Sequence, residues 1–271
     1  MKFSVCAVDR DLDVVRPFPL RGKTYEECAR CASKLGFDGI ELQIQDPSQY
    51  SGKKMKRMLD DYGLGTSAVT TGLAFLFEGM SMVHPDLSMR RATIERLKHQ
   101  LDLARELDSQ ILIGYLRGRK APNQSDQEYE DILTDSVSEL LEYAETIKTP
   151  IVMEQINRNE GDVFCSTDQT MTFLEKFHSD LLLYNGDTYH MAIEDPDIPA
   201  AIERSLNKLV LFHVSDVGRN IPDNQHFDFY KAAEVLKAHS YDKWATIEWK
   251  PLPNSFEATK KGIQYLKEVF A

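Results

Sequence analysis

Residues 151–162 read IVMEQINRNEGD, and this stretch is the best indicator of the fold. Three apolar residues lead into Glu154, and a polar segment with Asn157, Arg158 and Glu160 follows. A short apolar run that ends in a carboxylate and opens into a polar loop is typical of a strand that carries side chains to the mouth of a parallel barrel. Alone the pattern is weak, so the fold prediction depends on whether it recurs along the chain.

The composition is that of a soluble globular protein. Of the 271 residues, 42% are apolar and 28% are charged. The length of 271 residues is also typical of one α/β domain. No apolar run approaches the roughly 20 residues that cross a bilayer, so we expect no membrane association. The first residues, MKFSVCAVDRD, contain charges too early for a signal peptide, and a cytoplasmic protein is therefore predicted.

The charge balance argues against nucleic acid as a partner. The formal net charge is −11, and an acidic chain is repelled by a phosphate backbone. A small-molecule substrate is the better prediction. Cys28 and Cys31 form a C-x-x-C without a second pair, and with Leu35 they share one face of a predicted helix, which indicates core packing rather than zinc binding.

Predicted strands and helices alternate along the whole chain. Eight strands are expected, at residues 3–8, 39–42, 65–70, 111–115, from 151 onward, and at 181–184, 209–214 and 245–249. Residues 9–16 are predicted to form a charged loop and residues 71–82 a long, partly apolar one. Eight strand–helix units in this length favour a (β/α)₈ TIM barrel over an open sheet, in a single domain spanning residues 1–271. No G-x-G-x-x-G motif and no P-loop supports nucleotide binding.

Four successive predicted strands carry a candidate metal ligand at or just past the carboxyl end: Glu154, Asp187, His213 and Glu248. One such residue is more often a solvated loop residue or a hydrogen-bonded core histidine. Four in succession are harder to attribute to chance, because a buried unpaired charge is costly. Three carboxylates and one imidazole suit Mn²⁺, Mg²⁺ or Co²⁺ better than a thiolate-rich zinc site, although zinc stays an alternative.

Other polar residues follow these strand ends. His190 lies three residues beyond Asp187, and Arg219 lies six beyond His213. Either could reach the oxygens of a polyol, and either could instead make ordinary loop contacts. Arg117 and Arg119 could meet an acidic substrate group.

The motifs around these residues are similar to those of xylose-isomerase-like sugar isomerases and epimerases. They are EQINRNE (154–160), DTYHM (187–191), HVSDVGR (213–219) and IE (247–248), with TTGLAF (70–75) and IGYLRG (113–118) upstream. The resemblance is closest to ketose 3-epimerases of the tagatose and psicose type and to 5-ketogluconate-epimerase-like proteins, and it covers nearly the whole chain. Homo-oligomers are usual in that family, so a homo-oligomer is possible here.

The resemblance implies one divalent ion, usually Mn²⁺, held by Glu154, Asp187, His213 and Glu248. Glu154 and Glu248 would also serve as the catalytic acid/base pair. The implied substrate-binding residues are Glu160, His190 and Arg219.

The chain departs from the family pattern in several places. Gln155 stands where proline is common, Asn185-Gly186 replaces more apolar residues, and Asn224-Gln225 replaces a glycine-containing pair. The predicted ligands are intact, but these changes leave the identity of the sugar open.

The expected reaction is epimerisation of a ketose or keto-sugar acid, most simply at C3. A metal-stabilised enediolate would form on deprotonation, and two carboxylates on opposite faces would remove and return the proton. An aldose–ketose isomerase using the same site and a non-catalytic sugar-binding barrel are the alternatives. A DNA-repair endonuclease would need several further strand-end histidines, whereas the remaining candidates, His84, His99, His178 and His239, fall mainly in predicted helices or their flanks.

Overall fold

The structure, a computed structural model, describes residues 1–10, 12 and 16–271. The predicted charged loop at residues 9–16 lies partly outside these residues. The strands are β1 Lys2–Val8, β2 Leu20–Arg21, β3 Gly39–Gln43, β4 Gly65–Thr70, β5 Ile111–Ile113, β6 Ile151–Glu154, β7 Leu182–Asp187, β8 Leu209–Val214 and β9 Trp244–Ile247. The α-helices are α1 Tyr25–Leu35, α2 Gly52–Asp61, α3 Gly72–Glu78, α4 Leu87–Glu106, α5 Asp126–Ile147, α6 Thr167–Glu175, α7 Thr188–Glu194, α8 Ile198–Ser205, α9 Phe229–Ala238 and α10 Ser255–Phe270.

Eight of the strands close into a parallel barrel. Their order is β1-β3-β4-β5-β6-β7-β8-β9, and β9 pairs with β1 to complete the ring. The short β2 pairs only with the end of β1. The predicted (β/α)₈ TIM barrel is therefore confirmed.

Alternating side chains of the strands point into the barrel. One interior layer contains Ala68, Leu112, Val152 and Leu211. The larger apolar core lies between the strands and the surrounding helices. Because strand side chains alternate with a period of two, the inward position after Val152 is Glu154, and the one after Leu211 is His213. The period that builds the core therefore also directs these two polar side chains into the mouth.

Two helices were not predicted. Residues 71–82 contain α3, which buries Leu73 and Ala74 and ends at Gly79 in the left-handed conformation. Its start has no side-chain cap and a glycine at the first position, so the usual helix signals are missing. The second, α7, begins directly at the end of β7, where the side chain of Asp187 caps it by accepting a hydrogen bond from the Tyr189 N–H group.

None of the helices in the described part of the chain is long and apolar enough to cross a membrane.

Close packing of α10 against the barrel gives a stability prediction. A Cβ atom added to the buried Gly262 would lie 2.8 Å from Cζ2 of Trp249 and would collide with Ile247. Overpacking of this kind costs about 1–3 kcal/mol, more than the roughly 0.5–1 kcal/mol that alanine gains over glycine in a helix. We therefore expect Gly262→Ala to lower the free energy of unfolding, as measured by urea denaturation.

The matched control is Lys261→Ala, at the neighbouring exposed position of the same helix. It should change the unfolding free energy by no more than about 0.5 kcal/mol. A Gly262→Ala protein more stable than the parent would contradict the packing described for α10.

Candidate active site

The four predicted ligands lie together at the carboxyl end of the barrel. Glu154 and Asp187 are the last residues of β6 and β7, His213 is the penultimate residue of β8, and Glu248 directly follows β9. One ligand atom from each lies within 4.8 Å of the others. Three of the side chains are buried, and that of Glu248 is 12% exposed.

The spacing of these atoms fits one divalent ion. Nδ1 of His213 lies 3.2 Å from Oε2 of Glu248, 3.4 Å from Oε1 of Glu154 and 3.8 Å from Oδ2 of Asp187. Ligands at about 2.1 Å from an octahedral ion are separated from their neighbours by roughly 3 Å. The set can therefore close on an ion with small side-chain adjustments.

The electrostatics of the cluster also favour a cation. Burial raises the pKa of Asp187 to about 6 despite the nearby guanidinium of Arg219, and burial likewise raises the pKa of Glu154. Burial alone would lower the pKa of His213, but the carboxylates of Glu41 and Glu248 outweigh it and raise that pKa well above the usual value. A group of buried carboxylates is stabilised by positive charge placed among them.

Arg219 supplies one such charge. Its Nη1 atom lies 2.5 Å from Oδ2 of Asp187 and 2.7 Å from Oε2 of Glu248, and its Cζ atom lies 4.4 Å from the centre of the Tyr189 ring. The turn after β8 places it there, with Gly218 and Arg219 both at positive φ. Arg219 therefore contacts the cluster directly, as its predicted role in substrate binding requires.

His190 lies on the other side of the same guanidinium. Its Nδ1 atom accepts a hydrogen bond from the Asn157 N–H group at 3.1 Å, and its Nε2 atom lies 3.1 Å from Nη2 of Arg219. Burial and the positive charge of Arg219 lower the pKa of His190 well below its usual value. Donor groups of Asn157 and Arg219 thus face both ring nitrogens, which disfavours the doubly protonated ring.

Glu160 approaches from the loop after β6. Its carboxylate accepts hydrogen bonds from the hydroxyl groups of Tyr189, at 2.6 Å, and Tyr115. Neither tyrosine was predicted from the sequence. Glu160 is thus linked to the cluster through Tyr189, whose ring lies against Arg219. Of the three predicted substrate-binding residues, Arg219 is the one that lines the cavity above the cluster.

A cavity opens above these groups, with about 570 Å³ of space that includes the part open to solvent. Glu154, Arg219 and Glu248 form its polar side, and its other lining residues include Phe18, Leu76, Leu112, Gln43 and Arg16.

Several residues that shape the site were missed from sequence. The Nδ2 atom of Asn185 donates a 2.8 Å hydrogen bond to Oε1 of Glu154, because the β6–β7 register sets the two residues side by side. A Cβ atom at Gly114 would collide with the other oxygen, Oε2 of Glu154. Glu41, fully buried in β3, lies 2.9 Å from Nε2 of His213. A carboxylate inside the apolar run of the second predicted strand was the available signal for Glu41.

Arg117 does not face the cavity. It is buried, and its guanidinium donates hydrogen bonds to the backbone carbonyl groups of Glu154, Val163 and Phe164, so it holds the loop after β6. Arg119 pairs with Asp162 at the surface.

Comparison with known proteins identifies the family of the chain. Residues 29–269 match the family described as the xylose isomerase-like TIM barrel, and the chain belongs to that family. The L-ribulose 3-epimerase of Mesorhizobium japonicum is 28% identical over 77% of this chain and 69% of its own length. The 3-dehydro-D-guloside 4-epimerase of Escherichia coli is 24% identical over 81% of this chain and 84% of its own length.

The fold also matches solved structures. A D-psicose 3-epimerase from Clostridium cellulolyticum, crystallised with D-tagatose, superposes with a TM-score of 0.81 at 18% identity, covering 100% of this chain and 99% of that one. The named sequence relatives are sugar epimerases, so the predicted isomerase class of enzyme is confirmed and sugar epimerase activity is supported.

The contact at Gly114 generates a test of the site. An alanine there must displace the Glu154 carboxylate, so we expect Gly114→Ala to weaken Mn²⁺ binding and to lower turnover by up to about 100-fold, the effect of a misplacement near 1 Å. Isothermal titration with Mn²⁺ measures the first effect. Gly72→Ala is the matched control for metal affinity, because a Cβ atom there comes no closer than 3.8 Å to its nearest neighbour. Equal Mn²⁺ affinities in the two variants would contradict the assigned position of Glu154.

Proposed function

We propose that the protein is a divalent-metal-dependent sugar epimerase that inverts C3 of a ketose or keto-sugar acid. The observation that carries the proposal is the convergence of Glu154, Asp187, His213 and Glu248 beneath a cavity that Glu154 and Glu248 line. The 3-epimerases among its relatives support the choice of carbon, and the 4-epimerase keeps the neighbouring carbon as the nearest alternative.

These four residues would hold the ion, with Mn²⁺ the first choice and Mg²⁺, Co²⁺ or Zn²⁺ the alternatives. Mostly oxygen donors favour the harder ions. When bound, the ion supplies electrostatic stabilisation for the negative charge that develops on the oxygens of the substrate during deprotonation.

Glu154 and Glu248 would transfer the proton. They lie at the ends of β6 and β9, which β7 and β8 separate in the barrel, so they would approach a bound sugar from different directions. Inversion requires that one group removes the proton from one face and that another returns it to the opposite face. Burial raises the pKa of Glu154, which brings a carboxyl group closer to the range useful for both accepting and donating a proton.

Arg219, His190 and Glu160 would hold the oxygens of the substrate. Arg219 offers fixed donors, and the neutral ring of His190 lies 3.1 Å from its guanidinium. Glu160, fixed by Tyr115 and Tyr189, offers an acceptor for a sugar hydroxyl. Together these three groups would fix which carbon lies between the two carboxylates.

The proton-transfer roles can be tested by isotope exchange. In deuterated water with Mn²⁺ and a panel of ketoses and keto-acids, we expect the parent protein to incorporate deuterium at C3, detected by NMR. Glu154→Gln and Glu248→Gln should each slow incorporation by at least about 100-fold, the usual contribution of general acid–base catalysis. Metal content measured in the same samples separates loss of the proton carrier from loss of the ion.

The same experiment distinguishes the alternatives. Deuterium at C1 or C2 with aldose formation would identify an aldose–ketose isomerase, and binding without incorporation would identify a non-catalytic barrel. Undiminished C3 exchange in both metal-loaded variants would refute the assignment of Glu154 and Glu248. His84, His99, His178 and His239 belong to none of the potential metal-binding clusters of the described residues, although the partly exposed His226 lies in one with Asp216 and Asp223.

Metal binding should also increase the thermal stability of the protein. Because the ion would bind the folded state, the melting temperature should rise with Mn²⁺ concentration. The free energy of unfolding should increase by about 2.7 kcal/mol when the Mn²⁺ concentration is 100 times the dissociation constant. Treatment with a chelator should lower the melting temperature, and added Mn²⁺ should restore it. In Asp187→Asn the Mn²⁺-dependent rise should be largely lost. A rise of the same size in that variant would place the ion elsewhere.

A further inference from the structure

Glu41 is the most deeply buried carboxylate near the site that the proposed reaction does not use. It lies in the middle of β3, in the sequence GIELQ, all of which is buried. A buried carboxylate is costly unless it is paired and hydrogen-bonded. Within residues 1–10, 12 and 16–271, its ion-pair partner is His213, and its second contact is the Cys6 thiol.

The two nitrogen atoms of His213 face different partners. Nδ1 faces the carboxylates of Glu154, Asp187 and Glu248, at 3.2–3.8 Å. Nε2 of His213 lies 2.9 Å from Oε2 of Glu41. An imidazole that gives the lone pair of one nitrogen to a metal carries its proton on the other nitrogen, and a carboxylate there fixes both the tautomer and the ring orientation.

Glu41 is itself fixed from behind. Residues Cys6 and Glu41 are register partners in the β1–β3 pair, and Sγ of Cys6 donates a 3.0 Å hydrogen bond to Oε1 of Glu41. Burial and the adjacent carboxylate raise the pKa of the Cys6 thiol well above its usual value, so the thiol keeps the proton that it donates. Each oxygen of Glu41 therefore has one partner, and only Oε2 is directed at His213.

We infer that Glu41 is a positioning residue: its hydrogen bond to Nε2 holds His213 with Nδ1 directed at the metal, and Cys6 holds Glu41. The inference rests on the metal site of the proposed function, but it does not depend on which sugar is turned over. Glu41 contacts neither the cavity nor the reacting atoms, so it acts only through His213.

An alternative to the positioning role is a metal ion bound by Glu41 itself. Ligand atoms of Cys6, Glu41 and His213 also lie within 4.8 Å of one another and could hold an ion themselves. That ion would take Nε2 of His213 and would require a thiolate at Cys6. The thiol hydrogen bond and the orientation of Nδ1 favour the positioning role.

The test is Mn²⁺ affinity. Glu41→Gln keeps the size of the side chain but removes its charge, and we expect it to weaken Mn²⁺ binding by 10–100-fold, as is typical for the partners of metal-ligating histidines. Cys6→Ser retains a donor to Glu41 and should bind Mn²⁺ nearly as tightly as the parent. The control Glu234→Gln, at an exposed position of α9, should leave the affinity unchanged.

A second measurement needs no variant. In the Mn²⁺-free protein loaded with diamagnetic Mg²⁺ or Zn²⁺, ¹⁵N NMR of the histidine rings should show the His213 proton on Nε2. A proton on Nδ1, two ions bound per chain, or a Glu41→Gln affinity within twofold of the parent would each overturn the inference. These outcomes are separate from catalysis: a protein that binds the ion through His213 but inverts no sugar would refute the proposed function and leave the role of Glu41 intact.

Discussion

The structure of the barrel mouth depends on one electrostatic constraint, which is the burial of several carboxylates within a few ångströms of each other. Glu154, Asp187 and Glu248 face one nitrogen of His213, and Glu41 faces the other. Such a group is unfavourable in a low-dielectric interior unless positive charge is placed among the oxygens. The contacts of Arg219 with Asp187 and Glu248 meet part of this requirement. A divalent ion would meet the rest, which is why the electrostatics and the proposed chemistry lead to the same residues.

Barrel closure is what brings these groups together. Strands β6, β7, β8 and β9 are consecutive neighbours, so their carboxyl ends share one side of the mouth. Glu41 reaches the same place from the far side of the ring, because β3 is joined to β8 through β1 and β9. An open sheet with the same strand order would leave Glu41 and His213 on separate strands with nothing to bring them into contact. The histidine is therefore held from two directions only because the sheet is closed.

The predictable and unpredictable parts of the site differ in physical origin. A candidate ligand at a strand end is a local property of the sequence: a short apolar run ends in an ionisable residue, and this pattern predicted Glu154, Asp187, His213 and Glu248. The partners of those ligands depend on register between strands, which no single segment encodes. The contacts of Asn185 with Glu154 and of Cys6 with Glu41 follow from the β6–β7 and β1–β3 pairings. The missed helix α3 has a related cause, since its stability comes from burial of Leu73 and Ala74 rather than from a cap.

The departures from the family pattern acquire a physical meaning from these contacts. Asn185, expected from the resemblance to replace a more apolar residue, donates directly to Oε1 of Glu154. Gln155, at a position where the resemblance leads us to expect proline, is buried and hydrogen-bonds Asp195 and Thr167. A hydrogen bond to the ionised carboxylate favours the charged form of Glu154, whereas burial favours the neutral form. The two effects oppose each other at the group proposed to accept and return a proton, and of the two substituted residues Asn185 is the one that contacts its carboxylate.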